Sequence, residues 1–209
     1  MADRTGLLQA RRSGELTTVS RETLEALTND AVVIRLHYTI NHLSRWLTPI
    51  HDATKLVRSV RRGEAAVKDL LIQMRNEELI VFPKIYLISV KSSPDLDQLP
   101  LFTRTSDEIE SDRSHSPFVV MAEFRRLRQS TLSLLRNLPN DAWSRSGSSR
   151  REHPWTIRQL AEVLLARDYE VLAEMDDALE RTGARDGLAA AQRVRLPELL
   201  GLNPAETRR

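Results

Sequence analysis

Along four stretches of this chain apolar residues return at steps of three and four, and in two of those stretches a carboxylate stands where an apolar residue is due. The first run, Val33, Leu36, Ile40, Leu43, Leu47 and Ile50, lines one side of a helix. Pro49 falls near its end, so the helix is expected to kink or restart around "TPIHDA". The second run, Val67, Leu71, Met74, Val81, Ile85 and Ile88, keeps the same rhythm with Glu78 in an apolar place. Pro83 predicts a kink or break near Val81 and Phe82.

The third helix opens with Ser116 as N-cap and Pro117 at the first helical position, then runs Val120, Phe124, Leu127, Thr131, Leu134 and Leu138 before "LPNDAW" stops it. The fourth opens with a capping box, Thr156 and Gln159, followed by Leu160, Ala161, Leu164, Leu165, Val171, Leu172, Met175 and Leu179. Between helices two and three, residues 91–115 carry prolines and polar residues without period. Four amphipathic helices and no run of alternating strand pattern predict an all-α four-helix bundle with a long crossover connection between helices two and three. The expected division is an N-terminal extension over 1–28, with Ser20 capping a short helical stretch, a bundle over 29–182, and a C-terminal tail over 183–209 with a short helix around "PELLGL".

The polar residues inside these stripes carry the functional question. At 100° per residue Asp168 falls near the centre of the fourth helix's apolar face, with Arg167 at its margin; Glu78 is central on helix two, and His37 flanks the stripe of helix one. A buried acid must be paired, hydrogen-bonded, protonated or reached by water. One reading is a buried ion network in which Arg167, or another of the many arginines, neutralises Glu78 and Asp168. The other is a pocket whose arginine recognises an anionic ligand through its fork.

Other chemistries find no support. With no cysteine there is no thiolate nucleophile and no disulfide framework. No Glu-x-x-His, His-Glu-x-x-His, G-x-S-x-G or glycine-rich phosphate loop occurs. His42 and His51 fall outside the first stripe and are expected at solvent or a subunit contact, at no spacing that pairs them with His37. The net charge of +2 argues against a dedicated nucleic-acid binder, and the clusters "VRSVRR", "RRLR" and "SRSGSSRR" read as solvated faces. No stretch is apolar enough for a membrane helix or a signal peptide, so a cytoplasmic location is expected. Trp46, Trp143 and Trp155 read as packing anchors. The apolar residues Ile34, Trp46 and Phe118 stand off the stripes and would suit a homodimer surface, and "LPELL" an apolar docking segment.

The stretches "FRRLRQSTLSLLRNLPNDAWSRSG" and "HPWTIRQLAEVLLARDYEVLAEM" resemble the second half of DinB/YfiT-like proteins, with the likeness spanning Asn29 to Arg181. That resemblance implies a four-helix bundle, often dimeric, and in many members a divalent metal held by three histidines, once in helix two and twice in helix four as His-Asp-x-x-His. Here "QMRNEE" puts Gln73 at the first ligand place and keeps Glu78, while "RDYEV" puts Arg167 and Val171 at the other two and keeps Asp168. Glutamine is a poor ligand for zinc or nickel, arginine does not deprotonate to bind a metal, and valine has no donor. The expectation is therefore a bundle without metal or other cofactor, with Arg167 in roughly the cation's place. Its candidate pocket is His37, Gln73, Glu78, Arg167, Asp168 and Val171, its function small-molecule or partner binding, and its ligand a small anion. Metal-dependent thiol-transfer activity of the family's kind is not expected. The alternative is a divergent transferase or isomerase acting on an anionic or thiol-linked molecule, with Arg167 as anchor and Glu78, Asp168 or His37 as acid or base.

Overall fold

In the computed structural model, residues 21–197 are described; Ser20 and all of "PELLGL" after Pro197 lie outside the described residues, as does most of the apolar docking segment. Seven α-helices carry the fold: α1 (Arg21–Glu25), α2 (Asn29–Leu47), α3 (Thr54–Val57), α4 (Val67–Val90), α5 (Ser106–Ser114), α6 (Pro117–Arg136) and α7 (Ile157–Arg181). The four long ones, α2, α4, α6 and α7, form the bundle, and every residue of the first, second and fourth apolar stripes is buried in its core.

Each bundle helix begins where its local chemistry dictates. Thr28 accepts from the Ala31 amide at the start of α2, and Ser116 caps α6 with Pro117 in the first turn, where the missing N–H costs nothing. The expected capping box forms at α7, with Thr156 Oγ1 accepting from the Gln159 amide and Gln159 Oε1 from the Thr156 amide. α2 ends at Leu47, just ahead of Pro49. At Pro83, however, there is no break: α4 runs unbroken for 24 residues with the proline inside it. Apolar packing along both halves of α4 holds the helix through the one lost backbone hydrogen bond.

Helix directions follow from the contacts at their ends. Arg158, early in α7, donates to Asn29 Oδ1 and to the carbonyls of Leu24 and Leu27, whereas Trp46, at the end of α2, lies under the Arg185 guanidinium just past α7. These two helices therefore run parallel. α4 and α6 likewise advance together, with Arg75 beside Glu123 and Glu78 beside Thr131. Two consecutive parallel helices demand a connection as long as the bundle, about 36 Å for a helix of α4's length. The predicted crossover supplies it.

That crossover is more ordered than its sequence suggested. It leaves α4 through a backbone bridge to Ser148, whose amide donates to Pro94 O and whose carbonyl accepts from Leu96. It then contains α5, which sequence periodicity did not reveal because the helix has a single large apolar residue, the exposed Ile109. Its signal is a capping box, Thr105 with Glu108. What docks α5 is ionic: Asp112 is gripped by both Nη1 and Nη2 of Arg75, at 2.7 Å each, and by Arg104 at 2.7 Å, while Arg75 also reaches Glu123 at 2.9 Å. A two-stranded ribbon, β1 (Ser146–Gly147) with β2 (Trp155–Thr156), closes the turn into α7. Gly147 sits so close to Leu96 and Ile88 that a Cβ there would fall within 2.7 Å of Leu96.

Beyond α7 the tail folds back along the end of the bundle. Asp176, buried on α7, accepts from Arg185 Nη1 at 2.5 Å, Arg195 Nε at 2.9 Å and the Leu196 amide at 3.2 Å. Trp46 Nε1 donates to the Val194 carbonyl at 2.7 Å. Trp46, expected on a subunit surface, is thus fully buried under the tail, and Phe118 packs half-buried against the core; only Ile34 of that trio is exposed.

The hydrogen bond from Arg75 holds the Asp112 carboxyl below its ordinary value; burial opposes the shift, and Arg104 adds to it. A depressed carboxyl stabilises the folded state above the unfolded pKa of 3.8 and loses that contribution as pH falls through the lower folded value. Acidification below about pH 3.8 is therefore expected to free α5. Asp112→Asn should do so at neutral pH, read as selective loss of amide-exchange protection over residues 106–114.

Candidate functional site

Three of the four bundle helices bring a charge to one level of the core, and the fourth brings a hydroxyl. Arg128 of α6 is 1% exposed, Glu78 of α4 is 0% and Asp168 of α7 is 2%. Arg128 Nη1 and Nη2 donate to Asp168 Oδ2 and Oδ1 at 2.5 and 2.9 Å, a bidentate fork. Its Nε donates to Glu78 Oε1, and Nη1 also reaches the Leu36 carbonyl at 3.2 Å. Two threonines complete the cluster: Thr131 Oγ1 donates to Glu78 Oε2 at 2.5 Å, and Thr39 Oγ1 to Asp168 Oδ2 at 2.7 Å. The Phe124 ring lies 4.9 Å beneath the guanidinium carbon.

Every carboxylate oxygen here accepts at least one hydrogen bond from a buried donor, so the acids are compensated from within the protein. Burial by itself opposes Arg128's charge, but Asp168 and then Glu78 outweigh it and raise its pKa above the ordinary arginine value. The cluster is a closed unit.

The cation in this unit is Arg128 and not Arg167. Arg167 lies at the edge of α7, partly exposed, where its Nη1 pairs with Glu170 at 2.6 Å and its Nε lies 3.9 Å from Glu77. The physical reason is phase: one residue before Asp168, its side chain leaves the helix 100° away from the core direction. In the sequence Arg128 falls in the cluster "RRLR", which reads as solvated, and the apolar spacing of the third helix passes through Leu127 and Leu134. The buried positions are Pro117, Val120, Met121, Phe124, Arg128, Thr131, Leu132 and Leu135, so Arg128, Leu132 and Leu135 stand in place of Leu127, Leu134 and Leu138, one step around the helix. The signal was present in the spacing, since Arg128 stands four residues after Phe124 and three before Thr131.

The remaining members of the predicted pocket differ in their exposure. Val171 is wholly buried, Gln73 and His37 are half-buried, and His37 makes an edge contact with Tyr38 at 6.4 Å between rings. His51 is exposed as expected, but His42 is not: it is buried against Tyr38, with ring centroids 6.0 Å apart. Its position on α2 is three residues past Thr39, which turns it toward α7 and Asp168. Burial, reinforced by Arg45, lowers its pKa from 6.5 to about 4 despite the opposing pull of Asp168.

An opening of another kind lies on the outside, between α2 and α6. Val33, Leu135 and Trp143 form its floor, Ile34 and Leu138 its sides, and Asp30, Arg136 and Asn140 its polar rim, around a volume of about 280 Å³. No motif or apolar period in the sequence marks it.

With this geometry in hand, the chain can be set beside known proteins. No protein-family model matches it, and no curated protein matches it in sequence. Among solved structures it superposes on YfiT from Bacillus subtilis with a TM-score of 0.64 and 14% identity, covering 85% of this chain and 98% of that one. The chain has the YfiT fold. YfiT itself is described as "a probable metal-dependent hydrolase with an unusual four-helix bundle topology". The two parallel pairs seen here, α2 with α7 and α4 with α6, joined by a crossover, give this chain a four-helix bundle of that class.

A divalent metal does not fit the interior of this chain. No group of three or more histidine, cysteine or carboxylate side chains converges among the described residues. The two buried carboxylates already have their lone pairs directed at Arg128, Thr39 and Thr131, and a cation brought there would meet the guanidinium first.

Two outcomes follow from the cluster. Arg128→Met leaves two carboxylates buried without their cation and is expected to lower unfolding free energy by about 3–5 kcal/mol, whereas replacing Arg128, Glu78 and Asp168 together with apolar residues should recover most of that loss. Denaturant unfolding of both variants measures it. For His42 the folded pKa lies below the unfolded one, so the unfolded state takes up the proton first: stability is complete above pH 6.5 and declines as pH falls toward about 4, by on the order of 2–3 kcal/mol. His42→Phe should flatten the decline between pH 6.5 and 5, and equal slopes in the two proteins would contradict the assignment.

Proposed function

We propose that this chain is a metal-independent binding module of the YfiT fold, whose ligand is a small molecule with an anionic group and an apolar body. The observation that carries this reading is the Arg128 cluster: where a metal-dependent relative would need open carboxylate or imidazole donors, this chain has a sealed ion network. Acid–base chemistry at Glu78 or Asp168 requires a lone pair facing substrate, and each of their oxygens is turned toward a donor of the protein instead. Of the groups assigned to the divergent-enzyme alternative, Glu78 and Asp168 are thus closed to a substrate, and His37 alone is partly exposed.

Binding is then referred to the cleft between α2 and α6. Its apolar floor and exposed Arg136 support a short carboxylate with a ring or alkyl chain, bound on the side of the rim away from Asp30, and its volume is at the small end of ligand sites. Arg136 makes no ion pair with an acid among the described residues, so its charge is available to a carboxylate. Asn140 adds polar contacts at the rim.

Elemental analysis of the purified chain, with melting in chelator and in added zinc or nickel, tests the metal-independent part. The expected result is no stoichiometric metal and an unchanged melt; bound metal with a chelator-sensitive melt overturns it. The cleft is tested separately by melting with benzoate and hexanoate, expected to raise the transition in the native chain and not in Arg136→Glu.

A further inference from the structure

The cleft between α2 and α6 lies where the start of one helix meets the end of another. Asp30 stands in the first turn of α2 and Arg136 in the last turn of α6, and both line the cavity. Each sign suits its own helix, since an acid faces the positive amide end and a base the negative carbonyl end. The dipoles leave one thing unexplained. On one rim these two opposite charges do not pair, either with each other or with any other charged group among the described residues. A third polar group is idle beside them. Trp143 forms part of the floor and is 4% exposed. Trp46 donates its indole N–H to the Val194 carbonyl and Trp155 to Glu152 Oε2, whereas that of Trp143 has no acceptor among the described residues. A buried indole ordinarily finds one. The cavity thus gathers an acid, a base and a donor, each without its counterpart, around an apolar floor of Val33 and Leu135.

Resting on the reading of this cleft as the binding site, we propose that its ligand is a zwitterion: a free amino acid with an apolar side chain, its carboxylate on Arg136 and Trp143 Nε1, its ammonium on Asp30 and its side chain on the floor. A plain carboxylate is attracted by Arg136 and repelled by Asp30, so it gains little from a rim on which the two charges cancel, and a plain amine meets the reverse. A molecule that carries both charges satisfies both. Asp30 is then the selective element, because it favours the ammonium and penalises a carboxylate that lacks one. The side-chain amide of Asn140, with an acceptor and two donors, serves either group at the rim. Size points the same way. A cavity of about 280 Å³ is small for a ligand site and suits one amino acid better than a peptide. Within a peptide, moreover, the amine and the carboxyl of one residue are not both free, so a rim that reads the two together selects the unlinked monomer.

Titration of the isotope-labelled full chain by NMR, followed at the indole N–H of Trp143 and assigned with Trp143→Phe, tests this. L-Phenylalanine and L-leucine are compared with hydrocinnamate and isocaproate, which lack the amine, and with phenethylamine, which lacks the carboxylate. Each amino acid should bind roughly fivefold more tightly than its carboxylate analogue, the modest gain of an exposed ion pair. Asp30→Asn should erase that preference, weakening the amino acids and strengthening hydrocinnamate and isocaproate. Arg136→Gln should weaken all four carboxylates and leave phenethylamine no weaker. Both positions are exposed, so helical content should not change in either variant. Carboxylates that shift the Trp143 signal with no gain from the amine overturn the zwitterion and leave the broader reading of an anion-binding cleft standing. Amino acids bound equally by the native chain and both variants overturn the zwitterion as well. A Trp143 signal that none of the five compounds moves overturns both readings.

Discussion

The ion cluster around Arg128 is the constraint to which the other bundle helices are fitted. Apolar stripes alone tolerate slippage, because one leucine replaces another when a helix slides or turns. A buried guanidinium does not. It takes Glu78 from α4, Asp168 from α7 and the Leu36 carbonyl from α2 in one fixed plane, with Thr39 and Thr131 closing the remaining oxygens. Moving any helix by one turn, about 5.4 Å, would leave a charge in the core without its partner, at a cost of several kcal/mol. Hydrophobic burial drives assembly of the bundle, and the cluster chooses among its registers.

The same device recurs where apolar area is scarce. α5 has almost no apolar side chain to bury, and it is held by the Arg75–Asp112–Arg104 group. The tail contributes Leu196 to the core but depends on Asp176, which collects Arg185, Arg195 and a backbone amide. In each case a buried acid on one element meets two arginines, and at least one of the two comes from a segment that sequence periodicity leaves blank. Such pairs are dear to break and modest in net stability, so they specify position more than they add cohesion.

This division explains what could be read from the chain beforehand. Burial periodicity is a property of one helix at a time, so the stripes, the helix starts at Ser116 and Thr156, the long crossover and the misfit of Glu78 and Asp168 were all legible. Partner choice is a property of several helices together. Arg167 and Arg128 are both arginines near an apolar stripe, and telling them apart needed the phase of α6 to within one residue, which an interposed Leu127 concealed. His42 was misplaced for a related reason: a face judged polar on α2 is covered once α7 packs beside it. Pro83 did not break its helix, because the local penalty for a proline inside a helix was smaller than the packing on either side of it.

A guanidinium and a divalent cation answer two buried carboxylates differently, and the difference bears on what the fold is free to do. A metal ion is exchangeable, has its own coordination number and can leave a position open for water or substrate. Arg128 is tethered, carries one charge, and spends its donors on fixed acceptors in a plane, so it gives the same helices the same point of attachment with no open position. Exposed apolar side chains lie outside that interior, in the cleft between α2 and α6 and on α4 at Leu79, Tyr86 and Val90.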